Sequence, residues 1–150
     1  MSKTISFFLI DDDQDDNFLF EEALSQVAPS VKLFSALDGK DALERLLTMT
    51  ELPDLILLDL NMPVVNGKEC LAQLKYDQRL KDIPVIMYTT SSQSADIEET
   101  LQHGAICFIT KPDNIRELKK ILSVIYNNIS GNLYKALQAL SNETSTFIVC

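Results

Sequence analysis

Five short apolar runs punctuate the chain: ISFFLI (5–10), VKLFSA (31–36), DLILLD (54–59), PVIMYT (84–89) and AICFIT (105–110). Each is too short for a buried helix and rich in β-branched, aromatic or leucine side chains, as a buried strand is. Between them, apolar residues recur at helical spacing over 16–27, 39–50, 67–76 and 94–103, and a fifth such stretch starts near 113. The pattern is a strand followed by a helix, repeated five times. Strands joined by helices of about three turns run parallel, because right-handed crossovers return each strand in the same direction. The expected fold is therefore α/β, a doubly wound five-stranded parallel sheet. In such a sheet the ligand crevice lies beyond the carboxyl ends of the strands, so the residues that close each run carry the chemistry.

Those residues are Asp11, Asp12 and Asp13 after the first run, Asp59 at the end of the third, Thr89 and Thr90 at the fourth, and Lys111 after the fifth. The topology brings them to one edge. Carboxylates that share a site cannot all stay ionised without a counter-charge, and a hard divalent cation with oxygen ligands supplies one, Mg²⁺ foremost. A lysine and a threonine hydroxyl beside them suit a small anion such as a phosphoryl group. An Asp carboxylate can act as nucleophile in phosphoryl transfer, which makes Asp59 the candidate acceptor. The stretch DDDQDD (11–16) crowds five aspartates into six positions, and it divides by depth. Asp11 and Asp12 face the site and Asp13 follows in the loop. Asp15 and Asp16 fall where the first helix begins, where the macrodipole favours acids and a cap is needed.

Charge and composition remove other classes. With 13 Lys and Arg against 22 Asp and Glu, the formal charge is −9, and no basic cluster offers a footprint for a nucleic-acid backbone. No apolar run approaches the length of a membrane span, and the N-terminal stretch is too short and wrongly flanked for a signal peptide. A cytoplasmic protein is expected. Cys70, Cys107 and Cys150 form no CxxC pair, and the first two are expected as buried free thiols. The single His103 precedes Gly104 and reads as the end of a helix.

On the acidic pair Asp11 and Asp12, LILLDLNMP around Asp59, PVIMYTT with Thr89, and the Lys111-Pro112 pair, the chain resembles a known family over about residues 4–126. That family is the receiver domain of two-component response regulators, of the stand-alone chemotaxis-regulator type. The resemblance implies a flavodoxin-like sheet of strand order 2-1-3-4-5, with the receiver domain over 1–127; the remaining 128–150 are expected as a helical C-terminal extension on their own apolar pattern. It implies that Asp59 accepts a phosphoryl group from a histidine kinase or phosphotransfer protein. Mg²⁺ would be held by Asp12, Asp59 and the backbone carbonyl of Asn61, with Asp11 acting through water. Thr89, favoured over Thr90 by its spacing from Pro84, would hydrogen-bond the phosphoryl oxygen, and Lys111 would pair with it. Pro112 would follow a cis peptide bond.

The family assists its own phosphotransfer and dephosphorylation, so no turnover of an external substrate is implied. Its message passes to a downstream protein through a surface of the fourth helix, fifth strand and fifth helix, which phosphorylation biases. Phe108 stands where the family commonly places an aromatic switch residue. Lacking a hydroxyl, it could swing without the outward hydrogen bond of a tyrosine, and its alternative role is that of a core phenylalanine. Asn61 and Ser91 occupy positions that influence phosphoryl lifetime in the family, and neither is charged.

After residue 126 a C-terminal extension without a separate output domain is expected. Within it Leu133, Ala136, Leu137 and Leu140 form a helical stripe expected to pack on the domain or on a second copy, as in a homodimer. The stripe runs nearly in phase with Ile115, Leu118, Leu122, Ile125 and Ile129, while Asn127, Asn128 and Gly131 favour a break. Two rivals fail on single residues. Asp11, Asp13, Asp15 and Glu22 have calcium-loop spacing, but Asp16 stands where a turn glycine is required and a strand precedes. A phosphatase with Asp59 as nucleophile needs a second acid where Asn61 stands.

Overall fold

The computed structural model describes residues 4–150. Strands and helices alternate as β1 (Ser6–Ile10), α1 (Gln14–Val27), β2 (Lys32–Ala36), α2 (Gly39–Thr48), β3 (Leu55–Leu58), α3 (Gly67–Tyr76), β4 (Val85–Thr89), α4 (Ser94–Gln102), β5 (Cys107–Thr110) and α5 (Ile115–Asn128). Then come α6 (Leu133–Ser141) and a two-residue β6 (Ile148–Val149). The sheet order is β2-β1-β3-β4-β5-β6. Neighbours from β2 to β5 are parallel, as the repeated crossovers require, and β6 joins β5 antiparallel. The five expected strands and their order 2-1-3-4-5 are present, and β6 extends them by one.

Because successive strand residues point to opposite faces, each central strand feeds two cores. Phe7 and Leu9 of β1 join Phe20 of α1, Leu118 and Ile121 of α5, and Leu137 of α6 on one side. Phe8 and Ile10 join Leu46 of α2, Leu71 of α3 and Ile97 of α4 on the other. Covered on both faces, β3 and β4 are buried at every position, which is why their sequences read as continuous apolar runs rather than alternating ones.

Side chains fix the helix starts. Asp13, Asp38, Asn66, Asn114 and Asn132 each accept a backbone N–H from the first turn, and Asn66 and Glu69 form a reciprocal capping box. The cap of α1 is thus Asp13, while Asp15 and Asp16 occupy its first turn. His103 closes α4, and Gly104 follows at φ 107°, a backbone conformation that glycine tolerates best.

The tail breaks where the asparagines and Gly131 favoured it: α5 stops at Asn128 and α6 starts at Leu133. Leu133, Leu137 and Leu140 pack into the core shared with α5, so the stripe finds its partner within the domain. Two expectations are overturned. Cys107 is buried but not free, because the antiparallel register of β5 and β6 sets it opposite Cys150 and the two form a disulfide. Only Cys70 is a free buried thiol among the described residues, and burial pushes its pKa up to about 12. The Lys111-Pro112 peptide is trans, since no cis bond occurs among the described residues. The trans form is the lower-energy one before proline.

Candidate functional site

Backbone hydrogen bonds align the carboxyl ends of the central strands. Asp11 N–H donates to Ala36 O at 3.0 Å, Asp59 N–H to Ile10 O at 2.9 Å, and Lys111 N–H to Thr89 O at 2.7 Å. The residues that close β1, β3, β4 and β5 are therefore held by the sheet rather than by mobile loops. Asp11, Asp12 and Asp59 converge there, each offering a carboxylate oxygen within 4.8 Å of the others. Asp11 and Asp59 are buried and Asp12 is exposed, so the cluster opens to solvent on the Asp12 side.

Lys111 is the counter-charge in the structure, with its side chain only 9% exposed. Its Nζ lies 2.6 Å from Asp11 Oδ2 and 2.7 Å from Asp16 Oδ2, and 5.7 Å above the Tyr88 ring, within reach of a cation–π attraction. Burial raises Asp11 to about 6. The Lys111 hydrogen bond and the Asp13 backbone N–H, which donates to Asp11 Oδ1 at 2.9 Å, oppose that rise, and the Asp59 charge adds to it. For Lys111, burial works against the charge, but the hydrogen bonds with Asp11 and Asp16 and the charges of Asp11 and Asp59 outweigh it and raise the pKa. The lysine stays protonated at neutral pH.

Thr89 is fully buried at the end of β4, and its Oγ1 accepts Ser91 N–H at 3.4 Å. Asn61 lies exposed in the loop between β3 and α3. That loop is tightly built. Val65 N–H donates to Pro63 O at 2.8 Å across Val64, whose φ is 66°, a left-handed conformation rare for a β-branched residue. Gly67 opens α3 directly against Asp59: a Cβ there would stand 2.2 Å from Asp59 O and 2.6 Å from Leu60 Cα. Phe108 is fully buried in the core on the α2 to α4 side.

The edge thus brings together Asp11, Asp12, Asp59 and Lys111, with Thr89 closing the adjacent strand and Asn61 in the loop after Asp59. Asp16 was not foreseen as a partner of Lys111. Its signal is its position three residues past Asp13 on the first turn of α1, which turns it back toward the end of β1. Tyr88 was likewise missed, because an aromatic on a buried strand reads as core.

A family model for the response regulator receiver domain matches residues 7–123. Response regulator Rcp1 of Synechocystis sp. is 34% identical over 122 residues, spanning 78% of this chain and 83% of that protein. The polar-differentiation response regulator DivK of Brucella ovis is 32% identical, spanning 75% of this chain and 88% of its own. Among solved structures, the phosphorylated cyanobacterial phytochrome response regulator RcpA superposes with a TM-score of 0.77 at 35% identity, covering 83% of this chain and 93% of that one. The Mn²⁺-bound form of Rcp1 gives 0.73 at 32%, covering 82% and 92%. The bacteriophytochrome response regulator AtBRR gives 0.69 at 27%, covering 93% and 94%, so that likeness reaches into the tail. The chain belongs to the response-regulator receiver family of two-component signalling, with the flavodoxin-like fold. It is a signalling domain of the phosphorylatable kind.

Proposed function

We propose that Asp59 accepts a phosphoryl group from a histidine kinase or its phosphotransfer protein, in a reaction that depends on Mg²⁺. The observation that carries this reading is the meeting of three carboxylate oxygens within 4.8 Å beside a buried lysine. In the transfer, an Asp59 carboxylate oxygen attacks phosphorus, the phosphorus–nitrogen bond to the donor imidazole breaks, and an aspartyl phosphate forms.

The donor set suits a hard cation, since every side chain in the cluster offers oxygen and the open Asp12 side leaves room for water ligands. Asp12, Asp59 and the Asn61 carbonyl would hold Mg²⁺ directly and Asp11 through water, and the bound ion would neutralise charge on the phosphoryl oxygens. The Mn²⁺-bound form of Rcp1 supports a divalent cation as the occupant. Lys111 supplies the fixed positive charge. Thr89, held at the end of β4, offers its hydroxyl to a phosphoryl oxygen on Asp59. No external substrate is turned over, because Asn61 stands where an acid–base carboxylate would be needed to hydrolyse one. The modified surface signals to a downstream protein in the cytoplasm. The likeness to RcpA and to AtBRR, both phytochrome response regulators, favours a phytochrome-type kinase as donor.

Incubation with acetyl phosphate and Mg²⁺, followed by intact-mass measurement, tests the reading. One phosphoryl addition is expected, lost with EDTA and absent from Asp59→Asn. An addition that persists in Asp59→Asn refutes the acceptor.

A further inference from the structure

The site at the strand ends makes no use of the bond between Cys107 and Cys150, which closes the last part of the chain onto β5. β6 lies on the edge of β5 that β4 leaves free, with Val149 paired to Phe108 and Ile148 to Ile109. Thr110 N–H donates to Phe147 O at 3.0 Å, which extends the pairing by one bond. Ile148 is buried in the core beside Ile109, and Val149 packs on the core that contains Phe108. Two residues of ladder are weak by themselves, since short edge strands rely on other contacts for their stability. Upstream, the Thr144 hydroxyl donates to the Glu117 carboxylate and Lys120 Nζ donates to Glu143 O at 3.2 Å. These ties, with the Thr146 hydroxyl donating to the same Glu117 carboxylate at 3.5 Å, hold the tail on α5 as far as Thr146, and beyond it the short ladder, the burial of Ile148 and the disulfide hold the chain.

The two sulfurs differ in access. Cys107 is fully buried, whereas Cys150 is half-buried at the rim. We propose that Cys107–Cys150 is a thiol–disulfide exchange site that latches the segment after Thr146 over the edge of β5. Opening needs a dithiol reductant. One of its thiolates attacks Sγ of Cys150, the sulfur–sulfur bond breaks, and Cys107 leaves as a thiolate and takes up a proton. The second thiolate of the reductant then resolves the mixed disulfide and frees Cys150. Two electrons and two protons pass to the protein, and the reductant becomes a cyclic disulfide. Closing is the reverse, with a small-molecule disulfide as oxidant.

Opening uncovers the backbone groups of the β5 edge and the side chains of Phe108 and Ile109. Exposed edges of this kind are templates for pairing with another chain. That the uncovered edge takes part in signalling rests on the proposed function. The latch does not, and unphosphorylated full-length protein tests it. After treatment with oxidised glutathione, alkylation in denaturant labels Cys70 alone; after dithiothreitol it labels all three cysteines. Amide exchange at Thr110 and over 147–150 is expected to be about tenfold faster in the reduced protein, and equally fast in Cys150→Ser under either treatment, as local opening without a covalent tie allows. The latch is overturned if three thiols remain after oxidised glutathione, or if exchange at Thr110 is the same in both forms. It is also overturned if, in the reduced protein, Thr110 and 147–150 exchange no faster than β1 and β3, since the edge would then open only with the whole domain.

Discussion

Adding one methyl group at each of three glycines gives a graded test of how Asp59 is positioned. In Gly67→Ala the new Cβ would lie 2.2 Å from Asp59 O and 2.6 Å from Leu60 Cα, an overlap of about 1 Å against backbone atoms that cannot rotate away. The loop carrying Asp59 or the start of α3 must shift by that amount, at a cost of about 3 kcal/mol, the upper part of the range for overpacked sites. A displacement of about 1 Å in a positioned reactive group also costs roughly a hundredfold in rate. Gly39→Ala meets Val65 O at 2.8 Å, a milder clash in the same loop, whereas Gly131→Ala meets nothing nearer than Asn128 O at 3.9 Å. Urea denaturation of the four proteins should therefore order them Gly131→Ala and wild type, then Gly39→Ala, then Gly67→Ala. Phosphorylation by acetyl phosphate, measured where all four are folded, should fall most in Gly67→Ala and stay unchanged in Gly131→Ala. A Gly67→Ala protein within about 0.5 kcal/mol of wild type, phosphorylated at the wild-type rate, would refute the claim that close approach of α3 holds Asp59 in place.

Three further outcomes follow from the charges and the tail. Asp11 titrates near 6 in the fold against 3.8 in the unfolded chain, so the native state binds its proton more tightly. Its ionisation lowers stability as pH rises through that window; in EDTA, Asp11→Asn should gain roughly 3 kcal/mol on wild type between pH 4 and pH 7. A gain that shrinks as pH rises would contradict the sign. Lys111→Met strands Asp11 and Asp16 and should cost about 3 kcal/mol at pH 8, less at pH 5 where Asp11 takes up a proton; thermal melts with equal losses at both values would exclude the pairing. Reducing the disulfide, which spans a separation of 43 residues, removes a constraint on the unfolded chain worth about 4 kcal/mol, visible as a lower urea midpoint that Cys150→Ser reproduces.

The sheet and the meeting of the acids with Lys111 at its edge were legible because they rest on strong local patterns. Continuous apolar runs such as LILL in β3 exist only where both faces are covered, and the residue after such a run has one place to go. Partner choice was less legible. Lys111 was expected beside the acids at the strand ends, and its Nζ rests on Asp11 and Asp16; the second of these comes from the first turn of a helix whose start the apolar periodicity places two residues late. The capping role fell to Asp13 because the helix starts earlier than its apolar periodicity shows. β6 and its disulfide were invisible for a related reason. A two-residue strand carries no alternation, and the pairing of Cys107 with Cys150 depends on the path of α6, which brings the chain back to β5.

The same bond decides how the molecule bears mechanical load. Without it, tension applied at residue 150 would first strip β6 from the edge and then uncoil α6, with the sheet untouched. With it, the force crosses the sulfur bridge into β5 at once, and residues 108–149 become a closed loop that carries none of it. At about 3.5 Å per extended residue, roughly 150 Å of chain is withheld as slack. A motor pulling from that side meets the parallel sheet first, at the β4 to β5 ladder, and must break the domain there before it can lengthen the tail.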